Sequence, residues 1–120
     1  MKTKVVNEIA LVNSDSIIIK DVASEIDFAI AIKYKLNCHK IAINKTAVVK
    51  DFFVLSNGLA GEILQKLVNY HIKFAIYGDF SKYTSKPLKD FIYESNNGDD
   101  IFFAADEDEA IEMLSKQTCC

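Results

Sequence analysis

The chain has 120 residues, 50% of them hydrophobic and 26% charged, with a formal net charge of −3. That is the size of one domain with a core that needs neither disulfide nor metal staples, and the composition excludes a disordered chain. All 14 basic residues are lysine. Without arginine's planar fork, and with acids in excess, the chain lacks the dense positive charge on which nucleic-acid affinity rests.

Hydrophobic periodicity divides the chain into nine elements. Val5 to Val12 forms an apolar run that predicts a strand, and Asn13-Ser14-Asp15 supplies turn chemistry. Ser16 to Lys20 is then expected to be its antiparallel hairpin partner. Asp21 caps a helix that runs through about Leu36, with Val22, Ile26, Ala29, Ile30 and Lys33 recurring on one face and Glu25 in the first turn favouring the dipole. Lys40 to Asn44 is a short apolar strand followed by a loop through Leu55. A second helix starts near Ser56-Asn57-Gly58 and ends at Tyr70. Ile72 to Tyr77 is a buried strand that stops at Gly78-Asp79. Pro87 suits the first turn of a third helix, capped by Ser85 and terminated by Asn96-Asn97-Gly98. Ile101 to Ala104 is the last strand, and Asp106 with Glu109 has the spacing of a capping box at the start of a final helix.

The order β-β-α-β-α-β-α-β-α predicts an α/β domain. Its sheet is mixed and mostly parallel, with an antiparallel N-terminal hairpin and four helices. Right-handed crossovers place the loops after the third, fourth and fifth strands on one rim, at the carboxyl ends of strands where ligands bind in such sheets. No apolar run approaches the ~18 residues of a membrane span. The start, Met1-Lys2-Thr3-Lys4, leads into a charged periodic segment rather than a signal peptide. A single cytosolic domain over residues 1–120 is expected, with 1–4 and 116–120 frayed.

Two segments on the rim are the candidate site. The start of the second helix contributes Ser56, Asn57 and Gly58, where free amides and the dipole favour an anion, although plain helix capping explains the same residues. Gly58-Leu59-Ala60-Gly61 is not a phosphate-cradling loop, and its small residues are expected to let that helix approach the sheet closely. The loop after the fourth strand contributes Asp79, Phe80, Ser81, Lys82, Tyr83 and Lys86, and it is long, polar and aromatic for a strand-to-helix connection. Tyr77, Phe80 and Tyr83 read as aromatic anchors for a partner.

Other candidates carry less. The three cysteines, Cys38, Cys119 and Cys120, show no C-x-x-C spacing, so no metal site is expected, and His39 and His71 have no triad partner. The acids from Asp99 to Glu109 read as helix-start charge rather than a paired-carboxylate centre. No catalytic residue and no cofactor are expected.

Two resemblances follow from these residues. Gly58-Leu59-Ala60-Gly61-Glu62-Ile63-Leu64-Gln65-Lys66, Gly78-Asp79-Phe80-Ser81-Lys82-Tyr83 and Asp90-Phe91-Ile92-Tyr93-Glu94-Ser95-Asn96 resemble an uncharacterised bacterial family, domain of unknown function 4180, from about Asn7 to Ser115. More distantly, the element order and Leu55-Ser56-Asn57-Gly58-Leu59-Ala60-Gly61 are similar to STAS domains, the anti-sigma factor antagonist fold. That likeness implies a non-catalytic regulatory module that meets a protein partner through the rim. It also implies a phosphorylated serine before the glycine. Asn57 stands at that position, so no phosphoswitch is expected there, Ser56 being the only hydroxyl left. The alternatives are a small-molecule sensor or small enzyme on the same rim, with Asp79 as its acid–base or hydrogen-bonding group, Ser56 and Asn57 orienting the substrate and Lys86 holding an anion, or a domain that pairs with a second copy of itself.

Overall fold

A computed structural model describes residues 2–36, 39–54, 58–81 and 85–116. Five strands form one sheet in the order β1-β2-β3-β4-β5: Lys2–Val6, Ile9–Asn13, Lys40–Asn44, Lys73–Tyr77 and Ile101–Ala104. β1 and β2 are antiparallel, and every later pairing is parallel. Four helices follow: α1 (Val22–Leu36), α2 (Leu59–Asn69), α3 (Lys86–Asn96) and α4 (Glu107–Ser115). The expected element order and mixed sheet are present.

The hairpin lies elsewhere than expected. The apolar run Val5 to Val12 is not one strand, because it turns on Asn7-Glu8, both in the left-handed region at φ 51° and 66°. Two consecutive positive φ values are the geometry of a type I′ turn, whose twist matches that of the flanking strands. Pairing then runs from Lys2 opposite Asn13 to Val6 opposite Ile9, so the segment expected to fray at the N-terminus is strand from Lys2 onward. Glu8 in place of the usual glycine hid the turn.

Ser16 to Lys20, expected to pair with that run, instead forms a strap over the sheet. Ile19 makes an isolated parallel bridge to Val48, and the Ile18 and Ile19 amides both donate to the Ala47 carbonyl. The strap buries Ile19 in the core.

Side chains alternate across the sheet as strand geometry requires. Ala10, Val12, Ile41, Ile43, Phe74, Ile76, Ile101 and Phe103 face a core shared with Ala29 and Ile32 of α1, Ala60, Ile63 and Leu67 of α2, and Leu88 of α3. Ile9, Leu11, Ala42, Ala75, Tyr77, Phe102 and Ala104 face the opposite side, where Ala110 and Leu114 of α4 cover them. β2 to β5 are thus buried on both faces, which is why they read as unbroken apolar runs.

Helix ends use local chemistry. Asp21 accepts from the Ser24 amide at 2.8 Å, and the Ser24 hydroxyl oxygen accepts from the Asp21 amide at 3.0 Å, a reciprocal cap. The Ser24 backbone and side-chain bonds hold the Asp21 carboxyl below its ordinary value of 3.8. Ser85 caps α3 through the Leu88 amide at 3.3 Å, and Asp106 caps α4 through the Glu109 amide at 2.8 Å. β5 has an open outer edge, and Asn96 of α3 closes part of it. Its carboxamide accepts from the Phe103 amide at 2.7 Å and donates to the Phe103 carbonyl at 3.2 Å, as a neighbouring strand would.

Candidate functional site

The sheet order runs without reversal from β1 to β5. No topological switch point therefore opens a crevice of the kind that doubly wound sheets use. A cleft forms instead because the Ser14–Asp21 strap and the two 3-10 turns after β3, Lys45–Ala47 and Lys50–Phe53, rise above the carboxyl ends of β2, β3 and β4. Its volume is about 810 Å³, and its lining includes Asp15, Asn44, Lys45, Thr46, Tyr77 and Asp79, with Ile17 and Val48 as an apolar wall.

The polar groups are held by the scaffold. Asn44, the last residue of β3, clamps the strap: its Oδ1 accepts from the Ser14 amide at 2.9 Å and its Nδ2 donates to the Ser14 carbonyl at 2.7 Å. Ser14 is buried by this clamp. The Lys45 ammonium donates to the Asp79 carbonyl at 2.7 Å and stands 5.7 Å from the centre of the Phe80 ring, a cation–π distance. Asp79 Oδ1 accepts from the Ser81 amide at 2.9 Å, which sets the turn out of β4. Gly78 lets the two sides approach. A Cβ there would lie 2.7 Å from the Lys45 Cβ. Tyr77 closes the floor, donating to the Val12 carbonyl at 3.3 Å. Burial, reinforced by the negative charge of Glu107, pushes its phenol above the ordinary value of 10.0.

The expected site residues separate in space. Asp79 lines the cleft, with exposed Ser81 beside it. Phe80 turns inward instead, packing edge-on to Phe103 at 5.5 Å and against Phe53 at 5.9 Å, so it is half-buried against the core rather than an exposed anchor. Tyr77 is buried likewise. Lys86 is exposed and paired with Asp90 on its own helix at 2.9 Å, away from the cleft lining. Gly58 is the N-cap of α2 at φ 77°, a conformation that favours glycine. A Cβ on Gly61 would meet nothing within 4 Å, so it does not bring α2 close to the sheet; buried Ala60 faces the core instead. Ser56, Asn57, Lys82 and Tyr83 lie outside the described residues, as do the three cysteines.

Sequence reasoning missed Asp15, Asn44, Lys45 and Thr46. The signal was present, because Asn13-Ser14-Asp15 and Asn44-Lys45 are the first polar residues after two apolar strands, where the carboxyl-end rim begins. Residues 16–20 obscure it, because their apolar run reads as a hairpin strand.

The fold and cleft define an α/β domain with a mostly parallel sheet, helices on both faces, and a mostly apolar pocket with a few polar groups over the strand ends. The chain belongs to the family described as domain of unknown function DUF4180, whose model matches residues 4–114. No curated protein and no solved structure matches it. Among the described residues, no helix is long and apolar enough to cross a membrane, and no group of three or more His, Cys, Asp or Glu side chains is placed to hold a metal ion.

Proposed function

We propose that this chain is a non-catalytic regulatory module that senses a small molecule in the cleft beside Lys45 and Asp79. The observation that carries the reading is the cleft itself. About 810 Å³ lies within the range of small-molecule sites, and charged groups of both signs face an apolar wall. The polar groups at its base support binding rather than turnover. Asn44 is clamped to Ser14, the Lys45 ammonium is held by the Asp79 carbonyl, and the Tyr77 hydroxyl is held by the Val12 carbonyl. Groups fixed in this way present an oriented surface and are poorly suited to attack a substrate.

Kinship to STAS domains is part of the same proposal. Its support is the element order and a rim at the carboxyl ends of the strands, and cytoplasmic action follows from that kinship. A second reading, docking of a partner protein, is favoured by Ile17, an isoleucine 45% exposed on the cleft wall.

Amide NMR spectra recorded against a panel of amino acids, carboxylates, nucleotides and sugar phosphates test the pocket. Saturable shifts at Asn44, Lys45, Gly78 and Asp79 are expected for at least one compound, and Lys45→Met abolishes them. The same compound at 100 times its Kd should stabilise the fold by about 2.7 kcal/mol. A panel that leaves these four amides unmoved removes the sensor reading. If, in addition, another protein protects the same amides, the docking reading takes its place.

A further inference from the structure

Glu25 is the anomaly of the core. It has no exposed surface, and neither carboxyl oxygen has a hydrogen-bond partner. The two other buried polar side chains among the described residues, Ser14 and Lys40, are both engaged, the Ser14 hydroxyl donating to the Ser16 carbonyl at 2.8 Å. Glu25 sits in the seam between α1 and α2 beside Ile26, Ala29 and Ile30 of its own helix and Leu67 and Ile72 opposite. The seam has no room for a water molecule, so solvent does not replace the missing bonds. The titratable groups lining it are Lys66 and Tyr70, and neither bonds to the carboxyl. Asp21, on the same helix, is engaged in the cap with Ser24.

An ionised carboxylate in such a place is several times more costly than a neutral one. We propose that Glu25 is a proton-operated latch between α1 and α2, neutral when the seam is closed, and leaving it on ionisation for water and the exposed Lys66 at its mouth. The device is independent of the cleft, whose lining does not include Glu25. Burial raises the carboxyl from 4.5 to about 7. A folded-state value above the unfolded one means that folding takes up a proton. The stability this group permits is complete below about pH 4.5, falls as the pH rises, and reaches its floor above about pH 7. The latch therefore works across the neutral range.

Carbon NMR of the Glu25 carboxyl in the wild-type chain is the first test, and its expected midpoint is near 7. Amide exchange, corrected for the intrinsic effect of pH, should show α1 and α2 losing protection between pH 6 and pH 8. In Glu25→Gln that loss should vanish, and its folding constant at pH 8 should exceed wild type on the order of a hundredfold. A midpoint near 4.5 overturns the proposal whether or not the variant folds. So does a midpoint near 7 with unchanged protection of both helices.

Discussion

Phe103→Ala is expected to cost about 3–5 kcal/mol, the usual loss for emptying a buried phenylalanine site. Phe103 is 3% exposed, and four other phenylalanine rings surround it: Phe80 at 5.5 Å, Phe91 at 5.9 Å, Phe52 at 6.3 Å and Phe53 at 6.4 Å. Those partners come from the turn after β3, the loop after β4, and α3. One side chain thus ties three connections to the sheet edge, each ring pair contributing beyond its buried area. Total stability for a domain of this kind is about 5–15 kcal/mol, so the variant sits near the folding threshold. Urea unfolding should show a large fall in midpoint with an unchanged slope. Phe103→Leu keeps most of the volume and should lose far less. A cost for Phe103→Ala below about 1 kcal/mol would show that the rings pack adequately without their centre.

Gly78→Ala is expected to cost about 2 kcal/mol and to deform the cleft. The new Cβ would meet the Lys45 Cβ at 2.7 Å, a contact that a side-chain rotation cannot relieve because the Cβ position is set by the backbone. Either the turn after β3 or the exit of β4 must shift, and overpacking of this kind typically costs 1–3 kcal/mol, so about 2 is the central value. The Lys45–Asp79 hydrogen bond should lengthen with it, which amide shifts at Gly78, Asp79 and Ser81 would report. Gly61→Ala is the contrast. Gly61 is exposed within α2, has nothing near its added Cβ, and needs no positive φ, so alanine should stabilise the domain by about 0.5–1 kcal/mol through helix propensity. Thermal unfolding of the two variants side by side should give shifts of opposite sign. A Gly78→Ala midpoint equal to wild type would mean that the close approach is not constrained.

The consequence for function is that the core and the cleft are one construction. Phe80 leaves Asp79 at the cleft and enters the phenylalanine cluster, and Lys45 reaches back over the same ring. Loosening the cluster should therefore disturb the pocket as well as the stability.

Much of the architecture was legible in the residues. Four apolar runs, three helices capped by Asp21, Ser85 and Asp106, and the order of elements all follow from patterns within ten or fifteen residues of one another, although the face that α1 buries carries Ala29 and Ile32 rather than the expected stripe through Ile26, Ile30 and Lys33. Such patterns report local propensity and the face that must be buried, which is enough for an α/β domain with a mostly parallel sheet. The hairpin was misplaced because its turn is two ordinary residues, Asn7 and Glu8, inside a run that reads as one strand. Only pairing with β2 forces them to positive φ. The cleft depends on contacts between residues about thirty apart, Ser14 with Asn44 and Lys45 with Asp79, and no local pattern encodes such a distance. Glu25 shows the same limit most plainly. In the sequence it is an acid in the first turn of a helix, where the dipole welcomes it; in the folded chain α2 closes over it and removes water. Burial belongs to the assembled elements, and with it the proton affinity of that carboxyl.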